Sequence, residues 1–175
     1  MLTIRLAKHT DGGATLTCLR PDGSATWQRQ RGANAAFFPR HDLTHYAVET
    51  VLGHRRGFYG LVACGWDLTD FGAPWPRGPL PSDMDPSELL AGFLDVERAS
   101  MAGAGQRWTA ADLSAQAVNF HEARGFDATP PVIGDEQLAA IRARLAELFA
   151  RWDALAPGDV LELQFTPAAA PASQS

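Results

Sequence analysis

The two ends of this chain carry the same pattern, and it limits what can lie between them. Leu2, Ile4 and Leu6 alternate with Thr3 and Arg5, while Leu161, Leu163 and Phe165 alternate with Val160, Glu162 and Gln164. A period of two places each apolar set on one face of a strand, so both ends need a sheet partner and a covering layer. Ala14 to Arg20 and Ala25 to Gln30 read as two further strands. Asp11-Gly12-Gly13 and Pro21-Asp22-Gly23-Ser24 supply the reversals between them. The reading is an N-terminal three-stranded antiparallel sheet to which the C-terminal strand is added.

The intervening segments carry helical signals. Pro39 suits a first helical turn and Gly53 a stop, giving a helix over 39–52. Residues 58–67 are almost uniformly apolar and read as a buried helix. Five prolines between 72 and 86 mark an irregular loop. Asp85-Pro86-Ser87-Glu88 has an N-cap aspartate, a proline at the first helical position and an early acid, opening a helix that runs to Met101. Thr109 caps another that ends before Gly125. The last, from Asp135 to Leu155, gathers Leu138, Ile141, Leu145, Leu148 and Trp152 on one side. The fold class is therefore α+β: an antiparallel sheet of three N-terminal strands plus a C-terminal one, packed with four to five helices. Residues 1–165 form one domain, and the Ala/Pro/Ser-rich tail 166–175 is expected to be disordered.

Formal charge is −5, with arginines and lysines scattered rather than blocked, so no electrostatic footprint for nucleic acid is present. No apolar run approaches the roughly 20 residues of a membrane span, and the N-terminus is a strand pattern without a secretory h-region. A cytoplasmic location is the expectation. Cys18 and Cys64 share no motif and read as reduced core residues.

Chemistry concentrates in the helix 39–52, in His41-Asp42-Leu43-Thr44-His45. Histidines at i and i+4 sit one turn apart on one side of a helix, where both imidazoles reach a single ion at the zinc–nitrogen distance of about 2.0–2.1 Å. With His41 at zero, His45 lies at about 40°, Glu49 at about 80° and Asp42 at about 100°. The two histidines border the apolar stripe formed by Leu43, Ala47, Val48 and Val51. The alternative is two boundary histidines, with Asp42 serving as a cap or dipole partner in the first turn.

A tetrahedral site needs a third protein ligand. Glu49 lies about 12 Å of axial rise beyond His41, which suits it better to support His45 than to share its ion. On the helix 87–101, with Leu89 at zero, Glu97 falls at about 80°, between Phe93 at about 40° and Leu90 at about 100°. A carboxylate in an apolar stripe needs a metal ion, an arginine or a proton. His121, inward on the helix 109–124, is the other candidate ligand. A divalent transition metal, zinc first, held by His41, His45 and either Glu97 or His121, is the expected cofactor.

Phe38-Pro39-Arg40-His41-Asp42-Leu43-Thr44-His45-Tyr46-Ala47-Val48-Glu49, followed by Gly57-Phe58-Tyr59-Gly60-Leu61-Val62-Ala63, resembles a set of small uncharacterised bacterial proteins. These share a His-Asp-Leu-x-His-x-x-Val-Glu helix, and the resemblance brings no activity with it. Over five residues the chain is also similar to the His-Glu-x-x-His helix of zincin metallopeptidases, with Asp42 in place of the glutamate. That resemblance implies His41 and His45 as zinc ligands and Asp42 as general base, with a substrate that is a peptide or another small molecule. Asp42 is one methylene shorter than glutamate, which shortens its reach to a water on the metal. The leading reading is a metal-binding protein and metal-dependent hydrolase in which Asp42 or Glu49 manages the proton. Its rivals are a non-enzymatic structural or partner-binding protein without metal, and metal-free acid/base chemistry by His45 with Asp42 or Glu49.

Overall fold

A computed structural model describes residues 1–81, 84–101, 105–125 and 130–167. Strands β1 (Leu2–Lys8), β2 (Ala14–Leu19), β3 (Ala25–Arg29) and β4 (Val160–Phe165) form one antiparallel sheet in the order β3-β2-β1-β4. The two ends of the described chain pair along one side of it, with β1 inside and β4 at the edge: Leu2 pairs with Phe165, Ile4 with Leu163 and Leu6 with Leu161. These six side chains, with Leu16 and Cys18 of β2, are buried on one face. The opposite face carries the surface ion pair Arg5–Glu162 at 2.8 Å and the Thr3–Gln164 hydrogen bond at 3.0 Å. Helices therefore need to cover only one side.

Among the described residues the helices are α1 (Phe38–Leu52), α2 (Phe58–Ala63), α3 (Ser87–Met101), α4 (Ala110–Arg124) and α5 (Asp135–Ala154). The α1 helix is the hub, lying chiefly against α3 and α5 and touching α2 and β2. Every residue from Asp42 to Glu49 is buried, Asp42, His45 and Glu49 among them. A helix enclosed all round must satisfy such groups within the protein, which makes it the natural place for a site. Its ends match the sequence reading, with Pro39 in the first turn and Gly53 closing it at φ 68°. Lys8, at the end of β1, donates to the carbonyls of Trp152 (3.0 Å) and Leu155 (2.8 Å) and so ties the C-terminus of α5 to the sheet.

Three local expectations change. The apolar run 58–67 is a helix only as far as Ala63; Gly65, at φ 97°, breaks it, and a short 3-10 turn follows at Leu68–Phe71. The Asp85 carboxylate accepts from the backbone N–H groups of Arg55 and Arg56 (2.7 and 2.6 Å), so it fastens the α1–α2 connection to the start of α3. Cys18 is buried, and burial first of all pushes its thiol up to about 12. Cys64 is exposed rather than in the core. Of the tail expected to be disordered, residues 168–175 lie outside the described residues.

The alternation in β4 sets a graded test. Leu163, 4 % exposed, faces the core, whereas Val160, 48 % exposed, begins the same strand in solvent. Leu163→Ala is expected to cost about 2–5 kcal/mol in urea unfolding, against roughly 0.5 kcal/mol or less for Val160→Ala. Equal losses would show that β4 is not anchored by its inward face.

Candidate metal centre

His41 and His45 project from α1 towards the first turn of α3, where Glu88 meets them. His45 Nε2 lies 3.2 Å from His41 Nε2 and 3.1 Å from Glu88 Oε2, and His41 Nε2 lies 4.0 Å from Glu88 Oε1. Tetrahedral ligands about 2.0–2.1 Å from zinc stand roughly 3.3 Å apart, so these separations fit one ion. Among the described residues, this is the group of histidine, cysteine and carboxylate side chains close enough together to hold a metal ion. Glu88 reaches it from solvent, with its side chain 65 % exposed, while the His45 ring is 2 % exposed.

Behind each imidazole stands a second carboxylate. His41 Nδ1 is 2.7 Å from Asp95 Oδ2, and the other Asp95 oxygen takes Arg98 at 2.9 Å. His45 Nδ1 faces Glu49 Oε1 at 3.6 Å, longer than a hydrogen bond but well within ion-pair range. The Glu49 oxygens accept the backbone N–H groups of Tyr59 (3.2 Å) and Gly60 (3.1 Å), which brings α2 against α1. Gly57 makes that approach possible, because a Cβ there would meet Ser87 Oγ at 2.1 Å and the Glu49 carboxyl carbon at 2.5 Å.

These surroundings favour a cation at His45. Burial pulls its pKa down, but Glu49 and Glu88 outweigh burial and raise it to about 10. In return, the bond from His45 holds the Glu88 carboxyl below its ordinary value. Burial raises Asp95, yet His41 and Arg98 more than offset it and keep the carboxyl low. Asp42 differs from the other carboxylates here. Burial dominates it and pushes it up to about 6, against the pull of His41, His45 and a hydrogen bond from Gln30 Nε2.

Asp42, His41, His45 and Glu88 line one open cavity of about 710 Å³. Its far walls come from the end of β3, the 3-10 turn and the proline-rich segment that follows. Phe58 and Phe71, with ring centroids 4.7 Å apart, form part of the apolar side. A cavity of this size, apolar with a few convergent polar groups, has the character of a small-molecule site.

The sequence-derived residues thus divide. His41 and His45 come together as expected. Glu49 supports His45 from behind and does not join the Nε2 side. Asp42, on the fifth residue of α1, neither caps the helix nor stands among the close ligand group; it faces the cavity. Glu97 is buried, as its place in the stripe implies, but its partner is Arg142 of α5, and it also accepts from Trp108 N–H at 2.5 Å. The arginine meets the need for a counter-charge, and Glu97 stands outside the close group of His41, His45 and Glu88. His121 lies on α4 and is likewise outside the cluster. Sequence reasoning did not place Glu88 beside the histidines and missed Asp95 altogether. Their spacing of i and i+7 puts both on one side of α3, two turns apart, matching the i, i+4 histidines across the interface.

Comparison of the chain with protein-family models, curated proteins and solved structures returns no match.

Two expectations follow from these assignments. The folded-state pKa of Asp42 lies above its ordinary value, so the folded protein holds this proton more tightly than the unfolded chain does. In metal-free protein, stability from this group is lost as pH rises from about 4 through about 6. Asp42→Asn, which cannot ionise, is expected to gain about 1–3 kcal/mol above pH 7, fading to nothing below about pH 4. A pH-independent difference in urea midpoints would contradict that assignment. Glu97→Ala strands Arg142 and is expected to cost about 3–5 kcal/mol while leaving metal affinity unchanged; a calorimetric loss of metal binding would restore Glu97 as a ligand.

Proposed function

We propose that this protein binds one divalent transition-metal ion, zinc foremost, through His41, His45 and Glu88, and that it is a metal-dependent hydrolase of a small molecule or peptide. The observation that supports this reading best is the carboxylate behind each imidazole. At His41 the carboxylate bonded to Nδ1 orients the ring and raises its basicity, the usual arrangement of histidines that ligate metal, and Glu49 stands behind His45 Nδ1 at 3.6 Å. Two unrelated boundary histidines have no need of Asp95 and Glu49 in those positions.

Three protein ligands leave a fourth tetrahedral position, the pattern of catalytic rather than structural zinc. A bound ion of this kind brings the pKa of water to about 7 and polarises a carbonyl oxygen. Around it the chain divides the labour. His41 and His45 are held rigidly from α1, and Glu88 closes the group from the solvent side. Glu49, with its oxygens engaged by α2, keeps the His45 ring in place. Asp42, on the cavity wall, is the group assigned to take the proton released when water attacks.

Metal titration of protein purified without an affinity tag tests the reading. One zinc ion per chain is expected, with saturable binding abolished in His41→Ala and His45→Ala. Glu88→Gln and Asp95→Asn should each weaken binding about 10–100-fold in proteins whose circular dichroism is unchanged. Hydrolysis should stop with a chelator and return with zinc. Parent protein that takes up no metal, or histidine variants that bind as the parent does, would leave the non-enzymatic, partner-binding reading in its place.

A further inference from the structure

The register of β3 and the carboxylates of α1 and α3 fix the charge that a molecule in the cavity meets. Gln28 stands opposite Leu16 and Thr26 opposite Cys18, on the face of the sheet that is covered by helices. Arg29 stands opposite Thr15 on the far face and pairs there with Asp11 at 3.3 Å. Within β3, amide and hydroxyl groups therefore turn towards the cavity, and the guanidinium turns away. Asp42 and Glu88 line the cavity, while Glu49 and Asp95 stand behind the imidazoles. Glu88 and Asp42 alone match the charge of a dication held at this centre. Nothing there attracts a negatively charged substrate.

Apolar surface begins at the ligand group itself. The Phe58 ring lies 5.1 Å from that of His45 and 4.7 Å from that of Phe71, which in turn lies 5.7 Å from Trp66. Phe58 and Phe71 both line the cavity and are only partly buried. Both rings stand on anchored backbone. Phe58 opens α2, whose next two N–H groups are taken by Glu49. Phe71 ends the 3-10 turn, where Thr26 Oγ1 accepts the Leu68 N–H at 3.0 Å and Asp70 accepts the Asp67 N–H at 2.8 Å. Arg77 holds Asp70 in turn at 3.1 Å. An apolar surface so supported is formed before any ligand arrives.

We propose that the substrate of this site is an uncharged amide or ester whose acyl group is apolar and aromatic-sized. Its carbonyl lies at His41, His45 and Glu88, and its acyl group lies against Phe58 and Phe71. Because Phe58 adjoins the His45 ring, the apolar group is the one attached directly to the reacting carbonyl. Hydrolysis breaks the bond from that carbonyl to nitrogen or oxygen. Water gives its hydroxyl to the acid formed and a proton to the departing amine or alcohol. For the reaction the inference rests on the preceding reading of a metal-dependent hydrolase. For binding it rests on the aromatic wall and the charge pattern, which belong to the chain alone.

Calorimetry on full-length, zinc-loaded protein tests this with benzohydroxamic, acetohydroxamic and succinic monohydroxamic acids. The three share one zinc-binding group and differ in what is attached to it. Benzohydroxamic acid is expected to bind about tenfold more tightly than acetohydroxamic acid, and the charged succinic compound no more tightly than the latter. Phe71→Ala should cut the advantage of the ring to about twofold or less, with zinc and acetohydroxamate affinities unchanged. Phe71→Leu repeats the test with more of the core contact kept. Equal binding of the benzoyl and acetyl compounds, tighter binding of the succinic one, or an advantage untouched in both variants would each overturn the inference. Protein that takes up no zinc loses the hydrolase reading, and benzamide, benzoate and acetamide then decide the rest by NMR titration. Saturable binding of benzamide alone keeps the site for an uncharged aromatic amide; no binding of benzamide, or equal binding of benzoate, removes it.

Discussion

A buried carboxylate holds this architecture together. Glu49 is 1 % exposed, on the innermost helix, with its oxygens on the backbone N–H groups that open α2 and one edge towards His45. A carboxylate this deep is tolerated only where donors surround it, so α1, α2 and the His45 ring must all be in place together. The packing is tight enough that residue 57 has no room for a Cβ between Glu49 and Ser87. Connection, helix and imidazole are thus fixed by one interaction, and the geometry at the Nε2 side follows from it.

Most of the architecture was legible in the sequence because it follows from period and punctuation. Leu2, Ile4, Leu6 and Leu161, Leu163, Phe165 alternate, and strands of that kind pair wherever their faces agree; here they pair residue for residue. Pro39, Gly53, Thr109 and Gly125 mark helix ends through backbone rules that depend on no distant neighbour. The run after Gly57 was less legible. Uniform apolarity gives no period, and Gly65 with its positive φ ends the helix early.

The site was half legible for a related reason. Periodicity states which way a side chain faces: it put His41 and His45 at the margin of the apolar stripe, where His41 is half-buried and His45 buried, and Glu97 within a stripe that is buried. It cannot say which partner waits there. Glu97 meets Arg142, forty-five positions further along the chain, because α5 crosses that part of α3. Glu88 looked like a residue that merely opens a helix, and it does stand in the first turn. The same position, given how α3 lies on α1, puts its carboxylate over the histidines. Asp42 is the reverse case: its early place in the helix suggested a cap, whereas Gln30 and the cavity claim it.

The charges gathered where α1 meets α3 tie the assembly of the molecule to its solution. Asp42, Glu49, Glu88 and Asp95 surround two imidazoles, and Arg98 is the one arginine bound to that set among the described residues. In the unfolded chain these carboxylates are spread over more than fifty positions and repel one another little. Folding concentrates them, so the native state alone offers a binding place for positive charge, and whichever cation fills it shifts the folding equilibrium by mass action. A cation present at one hundred times its dissociation constant adds about 2.7 kcal/mol to the folded state. The abundance of this protein in a cell would then follow the supply of that ion as well as its own synthesis.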